Sequence, residues 1–366
     1  MPSETYQIPP RIRLGRALGR IVFAVVWTML AGELFLRVFA PQPLMPRAVI
    51  ASDIGIRMNK PNDTYWQRSM EVNVRVHINS QGIRADSEIP LEKPTGVKRI
   101  VVLGDSNGLG YEVALKDSFP MQMADRLNAA GENVQVVNLS VAGYGTAEEL
   151  LTFQHRGLAF HPDMVLLAWH FTDLDDNVRS HLFALEGGRL VRDRPTYLPG
   201  VKTRLRLESI PGYVWLERNS EMYSFIREKT AGKLEDMLPG APDVHVMPKA
   251  PAGPPTYRER LAVALLKEIQ DQCERNGIRF LILDVPSRFS RTDFASEFPA
   301  RAAEGVAQFD VVSPLHEFQT NYKGEKMFWE RGNGHPTVVA SHVIGRMLAE
   351  HILERKLLAG SPTMAR

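Results

Sequence analysis

The chain has 366 residues, of which 44% are hydrophobic, a formal net charge of +2 and one cysteine. This size is sufficient for one large domain with additions, and the near-neutral charge gives no electrostatic case for binding nucleic acid. The single cysteine, Cys273, excludes an intrachain disulfide, and its place in a predicted amphipathic helix indicates a packing residue and not a reactive thiol.

The first element is an apolar segment over residues 21–40 that follows a polar, basic stretch, residues 1–20. About 20 helical residues span about 30 Å, the thickness of a bilayer core. Four arginines precede the segment and predict a cytoplasmic N-terminus, with the remainder periplasmic, anchored in the inner membrane by one transmembrane helix. A cleaved signal peptide is the alternative, but Pro41-Gln42-Pro43 offers no convincing small-residue cleavage site.

Two charged residues interrupt the apolar segment. Glu33 and Arg37 are spaced four apart, so they can pair on one helix face. An intramembrane carboxylate often faces a protein partner, whereas a pair near the outer interface is tolerated without one. The sequence leaves both interpretations open.

Residues 41–96 read as an irregular, proline-containing lead-in outside the membrane. Within it, Glu71–His77 alternates like a strand, and Asn79–Arg84 is a cluster typical of turns.

From Lys98 onward, strand patterns alternate with helix patterns, which predicts a parallel sheet covered on both faces. We assign residues 97–358 to this α/β domain and residues 359–366 to a tail. An uneven, proline-rich stretch at 178–255 is expected to be an insertion over the carboxyl edge of the sheet, serving as a lid or a partner surface. The predicted strands are Ile100–Leu103, Val134–Leu139, Met164–Ala168, Phe280–Val285 and Phe309–Val312, and the predicted helices are Ser118–Asn128, Ala147–Gly157, Tyr257–Arg275 and Val338–Arg355.

The stretch GDSNGLG places Ser106 directly after the first of these strands. Ligands of parallel α/β sheets bind at the carboxyl ends of the strands, and a serine there can act as a nucleophile if a base reaches it. The simpler interpretation is that Asp105 and Ser106 only cap the next helix.

Three later stretches also fall where elements end. They contain Gly143 in a glycine-rich turn, Thr172 after the third strand, and His335 in a glycine-flanked loop before the last helix. A histidine in such a loop suits a general base, although a solvated loop histidine is the plainer interpretation. The acidic run after Thr172 matches no metal-site spacing, so neither a metal nor a cofactor is expected.

In this order, the blocks GDSNGLG, NLSVAGYG, FTDLDDN and GNGHPT resemble those of the SGNH, or GDSL-type, hydrolases. The lead-in INSQGIR and the anchor ending ELFLR are similar to the membrane-anchored bacterial branch. The resemblance implies a flavodoxin-like three-layer α/β/α fold with Ser106 as nucleophile and His335 as base. It further implies an oxyanion hole from the amides of Ser106 and Gly143 and the side chain at position 172.

Two departures from the family pattern concern the support of these residues. Thr172 stands where the family has asparagine, and loss of one oxyanion donor costs about 10²–10³ in rate. Asn333 and Gly332 stand where the family has the aspartate that orients the histidine, and an aspartate-to-asparagine change in another triad costs about 10⁴. Glu330 is a candidate substitute for that aspartate.

The sequence therefore supports two hypotheses. The first is an extracytoplasmic ester hydrolase or acyltransferase, with O-acyl groups of envelope glycans as the candidate substrate. The second, motivated by Thr172, Asn333, Glu33 and the irregular insertion, is a weakly active or inactive SGNH fold that serves as a binding or scaffold subunit of a membrane protein complex.

Overall fold

The computed structural model describes residues 10–46, 48–236, 254–290, 293–332 and 334–359. Its centre is a five-stranded parallel sheet of β1 (Lys98–Gly104), β2 (Val134–Asn138), β3 (Met164–Trp169), β4 (Arg279–Asp284) and β5 (Val311–Val312). The strand order is β5-β4-β3-β1-β2. This is the flavodoxin-like order of doubly wound folds, so the predicted fold class is confirmed.

Two apolar cores cover the two faces of the sheet. Because side chains alternate along a strand, Val101 and Leu103 face one core and Ile100 and Val102 face the other. The first core includes the apolar side of helix Tyr257–Arg275, and the second includes helices Phe119–Ala129 and Val338–Glu354. The resulting three layers leave the carboxyl edge of the sheet for loops.

Further short elements complete this domain. One predicted helix, Ala147–Gly157, is split into an α-helix and a following π-turn at Phe153–Gly157. The other helices are Ser106–Leu109, Thr146–Thr152, Asp173–Ser180, Ala300–Ala303 and Leu315–Thr320, with 3₁₀ turns at Leu115–Asp117 and Leu158–Phe160, and a small hairpin pairs Ser287–Arg288 with Phe294–Ala295.

The lead-in is more regular than its sequence indicates. The predicted strand at Glu71–His77 begins at Asn73 and pairs with Thr64–Arg68, and a second hairpin joins Val49–Ala51 to Arg57–Asn59.

The insertion is also more regular than expected. It begins with a hairpin, Phe183–Glu186 with Arg189–Arg192, and continues as helices Val201–Glu208, Tyr213–Asn219 and Glu221–Asp236. Its last part, residues 237–253, lies outside the described residues.

Helix Pro10–Phe39 contains the predicted membrane segment. Within the described chain, Arg16–Phe39 is the one helix that is long and apolar enough to cross a bilayer, with a mean hydropathy of 1.9. Most of its side chains are exposed, unlike those of a core helix.

Glu33 and Arg37 form the expected pair at 2.7 Å, and both also bind the insertion. The Glu33 carboxylate accepts hydrogen bonds from the Ser220 hydroxyl at 2.8 Å and the Met222 amide at 2.9 Å. Arg37 donates to the Asn219 carbonyl oxygen at 2.8 Å. Glu33 therefore finds its partners within the chain itself.

Candidate active site

Ser106 follows β1 and begins the short helix Ser106–Leu109. The capping role falls to Asp105, whose Oδ1 accepts from the Asn107 amide at 2.7 Å. Close packing explains Gly108, because a Cβ there would lie 2.5 Å from the Ser140 hydroxyl oxygen. The Ser106 side chain remains available for a contact outside this turn.

That contact is with His335. The distance from His335 Nε2 to Ser106 Oγ is 2.8 Å, within hydrogen-bonding range, as the order of the motifs led us to expect. His335 is 9% exposed, and Thr337 caps the helix that follows it. The structure thus places a serine and a histidine in the arrangement of a nucleophile and its base.

The third member of the arrangement is Glu112, which our sequence analysis missed. Its Oε2 lies 2.7 Å from His335 Nδ1, and its side chain is fully buried. The backbone at Glu112 has φ of 64°, a left-handed conformation that costs energy for a non-glycine residue. The signal that identifies Glu112 is structural: a strained backbone conformation beside the candidate catalytic histidine.

Gly332 explains how Glu112 fits. A Cβ at Gly332 would lie 1.7 Å from Glu112 Oε1, so a glycine is required there. This is one of the two positions where the family carries its aspartate. The other, Asn333, lies outside the described residues, and the side chain of Glu330 is exposed. Glu112, from the loop after Ser106, therefore supplies the carboxylate that the histidine block lacks.

The lead-in holds this loop in place. Gln67 accepts a hydrogen bond from the Glu112 amide at 2.8 Å. The buried guanidinium of Arg84, from the INSQGIR motif, donates to the carbonyl oxygens of Leu109 at 3.1 Å and Val113 at 2.7 Å, and also to that of Gly110. These contacts give the lead-in a direct structural role at the site.

Gly143 lies in the turn after β2 with φ of 77°, a conformation that favours glycine. Arg57 donates to its carbonyl oxygen and pairs with the buried Glu148 at 3.1 Å. The turn therefore has a fixed orientation beside Ser106, with which Gly143 shares two clefts.

Thr172 lines the same cleft as Ser106. Its hydroxyl lies 3.0 Å from His170 Nδ1, which is itself 3.9 Å from Asp105 Oδ2. Burial lowers the pKa of His170, which favours a neutral imidazole. With its proton on Nδ1, the ring donates to Thr172 and leaves the threonine proton free to point into the cleft.

Asp173, the first acidic residue of the third block, is structural. Burial, followed by the nearby Glu149, raises the pKa of Asp173 well above its usual value, and Asp173 accepts from Thr146 at 3.2 Å. Burial also raises the pKa of Asp176 to about 7. Across the described ranges, no three His, Cys, Asp or Glu side chains are grouped so that they could hold a metal ion.

Two open clefts meet at Ser106 and His335. One, of about 400 Å³, runs toward Phe171, Arg288 and Phe328. The other, of about 370 Å³, runs between the lead-in and Arg227 of the insertion. A bound ester has room for one substituent on each side of the serine.

No family model matches the chain. An arylesterase from Vibrio mimicus is 33% identical over 70 residues, which cover 19% of this chain and 35% of that protein, so the chain matches about a third of the relative.

Solved structures overlap with the chain more widely. The crystal structure of TesA is 13% identical and covers 71% of this chain and 99% of its own, with a TM-score of 0.38. A lipase/acylhydrolase from Enterococcus faecalis is 14% identical and covers 70% and 96%, with the same TM-score. From its strand order and the place of Ser106 and His335 at the carboxyl edge of the sheet, the chain has the fold of the SGNH, or GDSL-type, hydrolases, the family its motifs resemble.

Proposed function

We propose that this protein is a membrane-anchored serine esterase or acyltransferase that acts on acyl esters outside the cytoplasm. The observation that carries the proposal is the hydrogen-bonded chain Ser106–His335–Glu112, at 2.8 and 2.7 Å. A nucleophile, a base and a carboxylate in this order are the parts of a serine-hydrolase triad. The open clefts on both sides of Ser106 agree with an ester substrate.

In the proposed reaction, Ser106 Oγ attacks the acyl carbonyl carbon while His335 Nε2 accepts the serine proton. Glu112 orients His335 and stabilises its charged form. The tetrahedral intermediate carries an oxyanion, for which the amides of Ser106 and Gly143 and the Thr172 hydroxyl are the proposed donors. When the intermediate collapses, His335 returns the proton to the leaving alkoxide, and the acyl group stays on Ser106.

The second half of the reaction decides between hydrolysis and transfer. Either water or a substrate hydroxyl attacks the acyl-serine and gives its proton to His335, which passes it to Ser106 Oγ as the bond between the acyl group and the serine breaks. Because two clefts reach Ser106, an acceptor alcohol can approach from a different side than the acyl group. O-acyl groups of envelope glycans remain the proposed natural substrate, and the polar wall at Asp176, Ser287 and Arg288 is compatible with a sugar.

The anchor and its orientation are part of this proposal. We infer that residues 21–40 cross the inner membrane once with the N-terminus inside, so that residues 41–366 are periplasmic. The alternative, a scaffold subunit, has less support once the structure is considered than it has from the sequence alone. Glu112 supplies the acid, and Glu33 is bonded within the chain.

A fluorophosphonate probe tests the proposal directly, because it reacts with an activated serine. We expect the purified full-length protein to be labelled at Ser106 and to hydrolyse a short-chain activated ester faster than Ser106→Ala. If the folded wild type neither labels nor exceeds Ser106→Ala, catalysis is ruled out and the scaffold hypothesis leads.

A further inference from the structure

The insertion helices carry an unusual set of exposed apolar side chains. Trp215 is 65% exposed, Ile210 53% and Leu205 52%, and Leu216 and Ile226 are also exposed. Lys202 and Arg206, on the same helix as Leu205, are exposed as well. Exposed tryptophan and aliphatic side chains accompanied by basic ones are typical of segments that lie in the interface of a membrane.

The contacts with the anchor helix determine the position of this surface along the axis of that helix. Glu33 lies six residues before the helix end at Phe39, which is about 9 Å along the axis. The turn at 219–222 binds Glu33 and Arg37 directly, so it must sit at their level. If the apolar segment spans the bilayer, as the proposed function requires, this level is the outer interface.

Trp215 is close to that turn. The side-chain amide of Asn219 donates to the Trp215 carbonyl oxygen at 2.9 Å, and the Asn219 carbonyl oxygen in turn accepts from Arg37. One helical turn therefore separates Trp215 from the anchor contact. Its ring is exposed.

We propose that residues 201–226 form an interfacial membrane-docking surface, in which Leu205, Ile210 and Trp215 insert into the outer leaflet beside the anchor helix. The partner is a lipid surface, and continuity with the anchor is what selects it over a protein. This inference rests on the membrane anchor of the proposed function, but not on catalysis.

The docking surface is fastened to the catalytic domain. Arg218 binds both carboxylate oxygens of Asp63 in the lead-in, at 2.8 and 2.9 Å. Within the surface, Arg204 pairs with the buried Glu217 at 3.1 Å, which joins two of its helices. Docking would thus hold the cleft at Ser106, which Arg227 helps to wall, at a set height above the bilayer.

The test places single polarity-sensitive fluorophores on the full-length protein in vesicles of phosphatidylethanolamine and phosphatidylglycerol. The background is Cys273→Ala, which removes the buried native cysteine. Trp215→Cys probes the surface and Leu30→Cys the anchor. Leu91→Cys is the matched control, because Leu91 is 52% exposed and its carbonyl is bound by Arg99 of β1, at the opposite edge of the sheet.

We expect the probe at position 215 to be quenched by spin-labelled acyl chains and protected from aqueous iodide, like the probe at position 30. The probe at position 91 should show the reverse. Quenching at 215 by iodide, as strong as at 91, would overturn the proposal. Protection from iodide without quenching by lipid would overturn it too, because it would indicate a protein partner or a second copy.

The same measurement separates this inference from the proposed function. Adding Ser106→Ala should leave all three signals unchanged, so loss of catalysis has no effect on the result. If the probe at position 30 is not quenched by lipid, the anchor itself is absent, and both the anchor and the docking surface are rejected.

Discussion

The backbone of Glu112 has a conformation that usually favours glycine. Its left-handed φ of 64° turns the side chain toward His335, and the glycine at position 332 leaves space for the carboxylate. Strain of this kind persists only where the surrounding contacts determine it, and here Gln67 and Arg84 supply those contacts.

Replacing Glu112 tests whether it orients the proposed base. Glu112→Gln keeps the shape but removes the charge, so we expect kcat to fall by about 10³–10⁴ with little change in KM. The matched control is Glu330→Gln, the same chemical change at an exposed position in the histidine loop, which should have wild-type rates. Ester hydrolysis by both variants is the measurement. A Glu112→Gln enzyme with wild-type kcat would contradict the triad.

Moving the acid to the family position is a second test at this scale. Glu112→Ala removes the carboxylate and empties the space beside Gly332, and adding Gly332→Asp offers a new carboxylate from the histidine loop. We expect the double variant to recover at least about 10-fold in kcat over Glu112→Ala, since coupled neighbours are not additive. Gly332→Asp alone should slow the enzyme, because the new side chain collides with Glu112. A double variant no faster than Glu112→Ala would show that the acid cannot be relocated.

Among the elements, helix Asp173–Ser180 carries the third block, in which Asp173 is buried and Asp176 is half-buried. Burial raises the pKa of Asp176 to about 7, with Arg179 opposing the shift and Glu148 adding to it. An unfolded aspartate titrates near 3.9. Between these values the folded chain holds a proton that the unfolded chain has lost. Stability from this group is therefore complete below about pH 4 and is lost as pH rises through about 7.

Asp176→Asn removes this dependence. We expect the variant's melting temperature, relative to wild type, to increase steadily from pH 4 to pH 7 and then level off. Thermal unfolding of both proteins in the same detergent across this range is the measurement, with Asp175→Asn on the same helix as control. A difference between variant and wild type that is constant with pH would refute the raised pKa.

The hairpins of the lead-in are the second informative element. They place Arg57 on the Gly143 turn, and Asn59 donates to the carbonyl oxygen of Ser140 at 3.0 Å. In the other hairpin, Glu71 accepts hydrogen bonds from the amides of Glu330 and Arg331 in the histidine loop, at 2.8 and 2.6 Å. The lead-in, which includes Gln67 and Arg84, is thus part of the domain that holds the candidate site.

At the scale of the whole molecule, the orientation of the chain in the membrane is a prediction from the sequence. The arginines before residue 21 predict that reporter fusions after residue 60 are active only on the far side of the membrane. A periplasmic phosphatase and a cytoplasmic galactosidase fused at that position give opposite signals. Galactosidase activity would contradict the inside N-terminus and the proposed location of the enzyme.

The sequence by itself determined the α/β class, the approximate strands and the positions of Ser106, Gly143, Thr172 and His335. These features are local, because burial on both faces of a strand and a glycine-bounded turn are written in consecutive residues. The predicted bounds of helix Tyr257–Arg275 agree with the structure to the residue, and the structure shows that Thr256 caps its start and forms a capping box with Glu259.

Only the tertiary structure decided which side chains support them. Glu112 meets His335 across 223 positions of sequence, and Glu33 meets Ser220 across 187. No local pattern records such a pairing, because a carboxylate in a loop or in an apolar helix looks the same whether or not a partner is brought to it. The tertiary fold brings these groups together, and the full burial of the Glu112 side chain then makes its pairing with His335 necessary, since an unpaired buried charge is too costly to keep.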